Sequence, residues 1–381
     1  MRIQTVTIAL GAAMVLSNPA FSQPVSNDVA TTLERTINSY RPPAMTAVLI
    51  RDGKAGPEIA RGVQRLAERQ PVRTGERWLL GSITKSMTAT LIARLVEEGK
   101  LSWTTRLDQM LPNLASEMRP EYREVNLLDL LSHSAGLPDR LAGSDDEAFA
   151  DAWFNDHRPL PEQRLDYVRK GLSDPPIVPP RTKNSYSNTG YIIAAAIAER
   201  AAGKPYEQLM RELVFKPLGM NSATFEQETD GELLSYIDGR VATERDGNPA
   251  IFSAAGEVRM TMADWGRFAA DQLQGERGHG KLLKPESYKI LHTPYGPKDS
   301  GWALGWEVQR TAFQRQGPAL LHNGSDGNWI AMIVLYPESD SGLLIATNGG
   351  YSMGVDKALT AAVQSIVGDL APPALEAATK P

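Results

Sequence analysis

The chain has 381 residues, of which 42% are hydrophobic and 22% charged, an ordinary composition for a globular protein long enough to form two structural lobes. Its 40 basic and 45 acidic residues are dispersed and give a net charge of −5, so no nucleic-acid partner is expected. The absence of cysteine excludes disulfides, a thiol nucleophile and thiolate-bound metals. The five histidines are scattered without metal-ligand spacing, so we expect no metal and no cofactor.

The first residues have the pattern of an export signal. Arg2 supplies the positive charge, an apolar stretch runs from about Val6 to Leu16, and Ala20-Phe21-Ser22 places small residues before Gln23. The apolar stretch is shorter than the roughly 20 residues needed to cross a bilayer, although an uncleaved anchor is the alternative. We predict a signal peptide over residues 1–22 and a periplasmic or secreted mature chain with no stable membrane span.

The segments after the signal predict the beginning of a β-sheet. Hydrophobic residues at helical spacing first predict a helix from Ser26 to about Tyr40. Ala44 to Arg51 then has the composition of a buried strand, and the Asp52-Gly53 turn after it allows Ile59 to Val63 to return as its partner.

The long middle of the chain, about Ser82 to Leu291, is predicted to be mostly helical. Strand patterns return near the C-terminus, and a last helix is predicted from about Gly354 to Val367. The C-terminal strands are predicted at Gly305 to Arg310, Ala319 to His322, Asn328 to Tyr336 and Gly342 to Thr347.

These elements indicate an α+β fold in which strands from both chain ends form one antiparallel sheet. The N- and C-terminal helices flank the sheet, and a mostly helical lobe is inserted between its strands. We predict one domain over residues 26–370, with a sheet lobe at about 26–80 and 292–370 and a helical lobe at about 82–291.

The first candidate site motif is S-x-x-K, formed by Ser82 and Lys85. The helical pattern that follows places Ser82 near a helix N-terminus and Lys85 one turn later on the same face. A serine hydroxyl is a weak nucleophile until a neighbour accepts its proton, and a lysine with a lowered pKa can do so. The isolated motif is weak, because serine often caps helices and lysine is common within them.

The second motif is Tyr186-Ser187-Asn188, in a polar segment before an apolar helix. If the segment is extended, Tyr186 and Asn188 point to the same side, where a phenol can pass protons and an amide can orient a lysine. The alternative is a polar loop in which Asn188 caps the next helix.

The third motif is His322-Asn323-Gly324-Ser325, at the end of a predicted strand. Gly324 allows another backbone to approach the strand closely, and the backbone N–H of Ser325 can serve as an oxyanion donor. Because Asn-Gly is also a common hairpin signal, a simple turn is the alternative.

In chain order the sequence carries S-x-x-K, Y-x-N and H-x-G, together with DLLSHSAGLP at 129–138 and VFKPLGMNSATF at 214–225. This combination resembles the serine beta-lactamase and penicillin-binding-protein superfamily. In particular it is similar to the branch of class C beta-lactamases, D-alanyl-D-alanine carboxypeptidases and related esterases. The resemblance runs from about residue 40 to 365.

The resemblance implies acyl transfer on Ser82 without a cofactor. Lys85 and Tyr186 would share the proton transfers, and the backbone N–H groups of Ser82 and Ser325 would hold the oxyanion. Asn188 would position Lys85 and the substrate. The substrate would also lie beside the third motif, His322, Asn323 and Gly324.

Two departures from the family pattern concern the substrate. Class C beta-lactamases usually carry K-T-G where this chain has H-N-G, which favours carboxypeptidase-like or esterase-like activity over antibiotic hydrolysis. Arg181 stands where the family often has glycine, either as a solvated loop residue or as a charge for an anionic substrate.

Trp302 and Trp306 can be core residues, which we favour, or the wall of a substrate cleft.

We therefore expect an exported serine hydrolase that acts through Ser82 on small-molecule esters, amides or peptides. One alternative is a penicillin-interacting D,D-carboxypeptidase or beta-lactamase. Another is a non-catalytic protein that binds a cell-wall fragment, although binding alone has no use for a serine–lysine pair.

Overall fold

The computed structural model describes residues 25–141, 147–227, 231–297 and 300–374. The predicted signal peptide over residues 1–22 therefore lies outside the described residues. Within these ranges, no helix has both the length and the apolar composition that crossing a membrane requires.

Strands from both ends of the chain build the main sheet, as the sequence predicts. The first strand has the predicted bounds, whereas the strand that carries the third motif is longer than predicted because it pairs with a neighbour along each edge. The strands are β1 (Ala44–Arg51), β2 (Lys54–Ala55), β3 (Ile59–Arg65), β4 (Gln70–Pro71), β5 (Arg77–Leu79), β6 (Tyr236–Ile237), β7 (Arg240–Val241), β8 (Arg259–Thr261), β9 (Glu307–Ala312), β10 (Arg315–Ser325), β11 (Ile330–Tyr336) and β12 (Ser341–Thr347).

The main sheet has the order β4-β3-β1-β12-β11-β10-β9, with antiparallel pairing throughout, and β2 forms a hairpin with β1. β1 pairs with β12 from Met45 opposite Thr347 to Ile50 opposite Gly342. This pairing joins the two ends of the chain at the centre of one sheet.

Helices fill most of the middle of the chain and also flank the sheet. The helices are α1 (Val25–Tyr40), α2 (Thr84–Glu97), α3 (Leu107–Met110), α4 (Leu127–Leu131), α5 (Glu147–Phe154), α6 (Leu160–Ser173), α7 (Asn188–Ala202), α8 (Tyr206–Met210), α9 (Lys216–Leu218), α10 (Ser253–Gly256), α11 (Met262–Gly275), α12 (Pro285–His292) and α13 (Val355–Ile366).

Helices cover both faces of the sheet, which explains why β11 and β12 are buried at every position. On one face, Leu33 of α1 and Leu359 of α13 share a core with the sheet. On the other face, Trp265 and Phe268 of α11 belong to the larger core that extends into the helical middle. A strand buried on both faces needs continuous rather than alternating apolar residues, as the sequence of β11 shows.

The predicted α+β class with terminal helices flanking an antiparallel sheet is confirmed. The middle of the chain is not purely helical, because β5 pairs with β8 and β6 pairs with β7. The first of these pairs continues as a backbone bond in which the N–H of Leu80 donates to the carbonyl of Val258 at 2.9 Å. This bond fixes the segment before β8 beside the turn that carries Ser82.

Candidate active site

Ser82 lies in a short 3-10 helix, Gly81–Ile83, that runs directly into α2. Gly81 has a φ of +52°, a left-handed conformation that glycine adopts without strain. Gly81 and Ile83 are buried, whereas Ser82 is half-buried. The sequence correctly places Ser82 at a helix N-terminus.

Lys85 is fully buried one turn after Ser82. Its Nζ lies 3.0 Å from Ser82 Oγ, 2.7 Å from the carbonyl oxygen of Ala255 and 2.5 Å from Oδ1 of Asn188. Burial lowers the pKa of Lys85 to about 7, although the nearby charge of Asp139 opposes this shift. The neutral amine is therefore substantially populated near pH 7.

The neighbours of Lys85 determine where a neutral amine would direct its lone pair. The carbonyl oxygen of Ala255 and Oδ1 of Asn188 can only accept hydrogen bonds, so they take the two N–H groups of the neutral amine. The remaining position on Nζ faces the hydroxyl of Ser82, which can donate. This geometry suits proton transfer from Ser82 to Lys85.

The phenol of Tyr186 also hydrogen-bonds to the Ser82 side chain. The Nζ of Lys85 is 4.9 Å from the centroid of the Tyr186 ring. Burial raises the pKa of Tyr186 well above its usual value, so the phenol stays protonated at neutral pH. Of the two groups, Lys85 is therefore suited to accept a proton and Tyr186 to donate one.

The segment that carries Tyr186 is held by aromatic packing around His133. The imidazole lies 4.5 Å from the Tyr186 ring and 4.8 Å from the Trp302 ring, centroid to centroid. Its Nδ1 accepts the backbone N–H of Ser187 at 3.1 Å, and burial lowers the pKa of His133 well below its usual value. His133 is thus a neutral packing residue.

The two tryptophans have different positions, so the core assignment is correct for only one of them. Trp306 is fully buried, in agreement with the prediction. Trp302 is only half-buried and packs edge-on against His133 and beside Tyr186, so it forms part of the wall of the site.

Asn188 is the first residue of α7 and does not lie in an extended segment. The helix is capped by Ser187, whose hydroxyl accepts the N–H of Gly190 at 3.0 Å. Because Ser187 supplies the cap, the Asn188 side chain is free to contact Lys85, and its Nδ2 donates to Oδ1 of Asp139 at 2.7 Å. No motif in the sequence pointed to Asp139.

The end of β10 packs directly against the turn that carries Ser82. A Cβ on Gly324 would lie 1.9 Å from the carbonyl oxygen of Leu80 and 2.9 Å from the backbone nitrogen of Ser82. A Cβ on Gly81 would lie 2.1 Å from the backbone nitrogen of Ser325. Only glycine at these two positions allows the β10 backbone to approach the Ser82 turn this closely. The backbone nitrogens of Ser82 and Ser325 both lie at this contact between the two segments.

Asn323 and Gly324 lie within β10, opposite Met332 and Ala331, so the alternative of a hairpin turn at this motif is wrong. His322 is buried, and its Nδ1 lies 2.6 Å from the carbonyl oxygen of Asn323. Burial lowers the pKa of His322 to about 3, so the imidazole is neutral. The third motif therefore presents no positive charge to a substrate.

Tyr351 lies on the Ser325 side of the site, and no sequence motif pointed to it. Its phenol hydrogen-bonds to the Ser325 side chain, and 53% of the residue is exposed. The backbone N–H of Tyr351 donates to the carbonyl of Gly327 at 3.3 Å, which fixes the ring close to β10. Tyr351 therefore adds exposed aromatic surface beside Ser325.

Arg181 does not face the site as a free charge. Its Nε and Nη2 donate to the carboxylate of Asp129 at 2.7–3.1 Å, and Nη2 also donates to the carbonyl of Glu124 at 2.8 Å. Since Asp129 is buried and completes the capping box of α4 with Asn126, Arg181 has a structural role. Throughout the described ranges, no group of three or more His, Asp or Glu side chains could hold a metal ion.

Comparisons with known proteins agree with this geometry. The sequence matches the family described as Beta-lactamase over residues 29–367. It is 28% identical over 338 residues to Penicillin-binding protein 4 of Amycolatopsis lactamdurans, with 82% of each chain covered. It is 22% identical over 275 residues to D-alanyl-D-alanine-carboxypeptidase/endopeptidase AmpH of Escherichia coli (strain K12), with 70% of this chain and 69% of that protein covered.

The fold is similar to a solved structure, the octameric penicillin-binding protein homologue from Pyrococcus abyssi. The TM-score is 0.70 at 24% sequence identity, with 88% of this chain and 77% of that chain covered. Together with the fold, these relatives show that the protein is a serine hydrolase. The chain belongs to the beta-lactamase family, as the resemblance predicts.

We expect Gly324→Ala to displace β10 from the Ser82 turn, because the new Cβ would lie 1.9 Å from the Leu80 carbonyl oxygen. Overpacking of this kind should lower the free energy of unfolding by about 1–3 kcal/mol. A displacement of about 1 Å should slow labelling of the protein by a fluorophosphonate about 100-fold. Denaturant unfolding and intact mass spectrometry measure the two effects.

Gly256→Ala is the matched control, because its Cβ would meet no atom closer than 3.7 Å although it lies beside the same turn. This variant should label at the wild-type rate. Equal labelling rates for Gly324→Ala and wild type would contradict the close-approach argument.

Proposed function

We propose that the protein hydrolyses esters, small amides or peptides through an acyl-enzyme on Ser82. The observation that carries the proposal is the 3.0 Å contact between Ser82 Oγ and the buried Nζ of Lys85, whose pKa is lowered to about 7. A serine hydroxyl beside an amine whose neutral form is substantially populated near pH 7 is an activated nucleophile.

In the proposed mechanism, neutral Lys85 accepts the proton of Ser82 as Oγ attacks the substrate carbonyl. The backbone N–H groups of Ser82 and Ser325 stabilise the negative charge on the carbonyl oxygen. Tyr186 donates its phenolic proton to the leaving group and recovers a proton from the Lys85 ammonium. Water then attacks the acyl-enzyme, and proton transfer in the reverse direction restores Ser82.

Asn188 supports this mechanism because its Oδ1, at the start of α7, accepts a hydrogen bond from Lys85. His322, Asn323 and Gly324 form the strand edge along which a substrate would bind. Since this edge carries no cation, we favour neutral acyl donors over substrates with a carboxylate next to the scissile bond. The exposed aromatic surface of Tyr351 and Trp302 favours apolar or aromatic groups.

A D,D-carboxypeptidase or a beta-lactamase is the second candidate. It is supported by the names of the relatives, one a penicillin-binding protein and one a D-alanyl-D-alanine-carboxypeptidase/endopeptidase. The neutral third motif argues against it, because the product or drug carboxylate would have no cation at that position.

Our proposal for the mature protein is a single domain over residues 26–370 that acts in the periplasm or is secreted. The sheet lobe would comprise about 26–80 and 292–370, and the helical lobe about 82–291. The support for export is the composition of residues 1–22, with one positive charge, an apolar stretch and small residues before Gln23.

If the chain is exported, expression in a Gram-negative host should place it in the periplasmic fraction. N-terminal sequencing should then begin at Gln23, and a variant without residues 2–22 should stay in the cytoplasm. Full-length protein in the cytoplasmic or membrane fraction would contradict the signal-peptide prediction.

Replacing the nucleophile should abolish turnover. We expect the protein to hydrolyse a short-chain nitrophenyl ester but not a chromogenic cephalosporin, and Ser82→Ala should reduce kcat/KM for the ester at least about 10⁴-fold. Ser86→Ala on the same helix is the control, because its hydroxyl donates to the carbonyl of Ile83 and does not contact Lys85.

Cephalosporin turnover without ester turnover would favour the second candidate. Absence of any turnover or covalent adduct would favour a protein that only binds its ligand. An adduct that persists in Ser82→Ala would show that the nucleophile is another residue.

The pH dependence of kcat/KM for the ester should report the Lys85 amine. Because only the neutral amine accepts a proton, activity should rise through about pH 7 and fall about tenfold per pH unit below it. Tyr186 should not limit activity up to pH 9, since burial raises its pKa and keeps the donor protonated. A profile that is flat from pH 5 to 9 would contradict the role of Lys85.

A further inference from the structure

Asp139 lies next to the site on an exposed loop that follows the buried segment around His133. Its Oδ1 accepts the Nδ2 of Asn188 at 2.7 Å, and Oδ1 of Asn188 lies 2.5 Å from Nζ of Lys85. Lys85 in turn lies 3.0 Å from Ser82 Oγ. Four side chains thus form one continuous line of hydrogen bonds from the solvent to the hydroxyl of Ser82.

The chemistry of a carboxylate fixes the orientation of the amide in this line. An ionised carboxylate only accepts hydrogen bonds, so the NH₂ group of Asn188 must face Asp139 and its carbonyl oxygen must face Lys85. With the opposite orientation, the amide would present donors to the amine. The lone pair of neutral Lys85 would then be drawn towards Asn188 and away from Ser82.

We propose that Asp139 is a positioning residue that orients Asn188, so that the amine of Lys85 directs its lone pair to Ser82, and that its negative charge stabilises the protonated amine. This inference rests on the proposed function of Ser82 and Lys85. Asp139 acts through Asn188 and takes no part in bond making.

The charge of Asp139 is significant because Lys85 is desolvated and Asp139 is the charged neighbour that most favours its ammonium form. Asp139 and Glu257 favour the ammonium form, whereas Arg140 disfavours it. Arg140 donates to Asn248 at 2.9 Å, and Asn248 donates to Glu257 at 2.9 Å, so Arg140 and Glu257 are linked to each other through Asn248. The titratable groups around Lys85 are Asp139, Arg140, Glu257, Tyr186, Tyr191, His133 and His322.

Substitutions of Asp139 can separate its two functions, which are to orient Asn188 and to stabilise the Lys85 ammonium by its negative charge. Asp139→Asn removes the charge but keeps an oxygen that can accept from Asn188, whereas Asp139→Ala removes both. Asp139→Glu keeps the charge on a longer side chain. The loop should keep its fold in all three, because the backbone carbonyl of Asp139 accepts the N–H groups of Asn188 and Thr189 at 3.1 and 3.2 Å.

The test is the kcat/KM profile of each variant for a nitrophenyl ester from pH 5 to 9. We call the fall of kcat/KM at low pH the acid limb and its constant value at higher pH the plateau. Asp139→Asn should move the acid limb to lower pH by roughly 0.5–1 unit, because the Lys85 ammonium loses a favourable negative charge. The plateau should stay within about threefold of the wild-type value. Asp139→Ala should move the limb similarly and lower the plateau at least about tenfold. Asp139→Glu should return the limb towards wild type.

Salt and a distant charge provide two further controls. Because Asp139 is exposed, its effect should be screened, so the difference between wild type and Asp139→Asn should shrink in 1 M NaCl. Glu338→Gln removes one exposed negative charge after β11, at the end of the sheet away from Ser325, and should leave the limb unchanged.

An acid limb at the same pH in wild type and Asp139→Asn, or an equal shift in Glu338→Gln, would overturn the inference about Asp139. Reaction of wild type with a fluorophosphonate distinguishes this result from failure of the proposed function. Wild type that forms no adduct at Ser82 and shows no acid limb would overturn both proposals together.

Discussion

The burial of the Lys85 amine beside Ser82 is the constraint on which the rest of the site depends. An ammonium group removed from water is unfavourable unless its donors are satisfied, and Lys85 is surrounded by three oxygen atoms. The same burial lowers the pKa of Lys85 to about 7, so the interaction that costs folding free energy also makes the lysine a base near neutral pH. Burial of the Lys85 side chain therefore lowers the stability of the fold and raises the reactivity of the site.

The sheet provides the rigid support for this arrangement. β10 pairs with β9 as far as Leu321 and with β11 as far as Ser325, and Gly324 near its end contacts the backbone of the Ser82 turn. The segment that ends in Ala255 approaches Lys85 from the other side and is tied to the Ser82 turn through the β5–β8 pair. Segments that are distant in sequence therefore hold the serine and lysine in place, and small displacements of any of them would alter the distance between Ser82 and Lys85.

The fold could be predicted because the strands near both ends are continuous apolar runs with clear turns, and the site could be predicted where local periodicity decides it. Helical spacing alone predicts that Ser82 lies near a helix N-terminus with Lys85 one turn later, whereas the catalytic roles of the two residues follow from the combination of motifs and the family resemblance. The orientation of Asn188 could not be predicted, because a neighbouring serine took the capping role. The partners Asp139 and Trp302 depend on contacts between segments that sequence patterns do not reveal, and four-residue spacing cannot distinguish a wall residue from a core residue.

The most direct test of the central claim is the rate at which a fluorophosphonate modifies Ser82 in wild type and in Lys85→Met, measured between pH 5 and 9 under single-turnover conditions. We expect the wild-type rate to titrate as one proton near pH 7. Lys85→Met, which keeps the apolar bulk, should react at least about 10³-fold more slowly and without that titration. A Lys85→Met variant that modifies Ser82 at the wild-type rate, with the same pH dependence, would contradict the claim that the buried amine activates the serine.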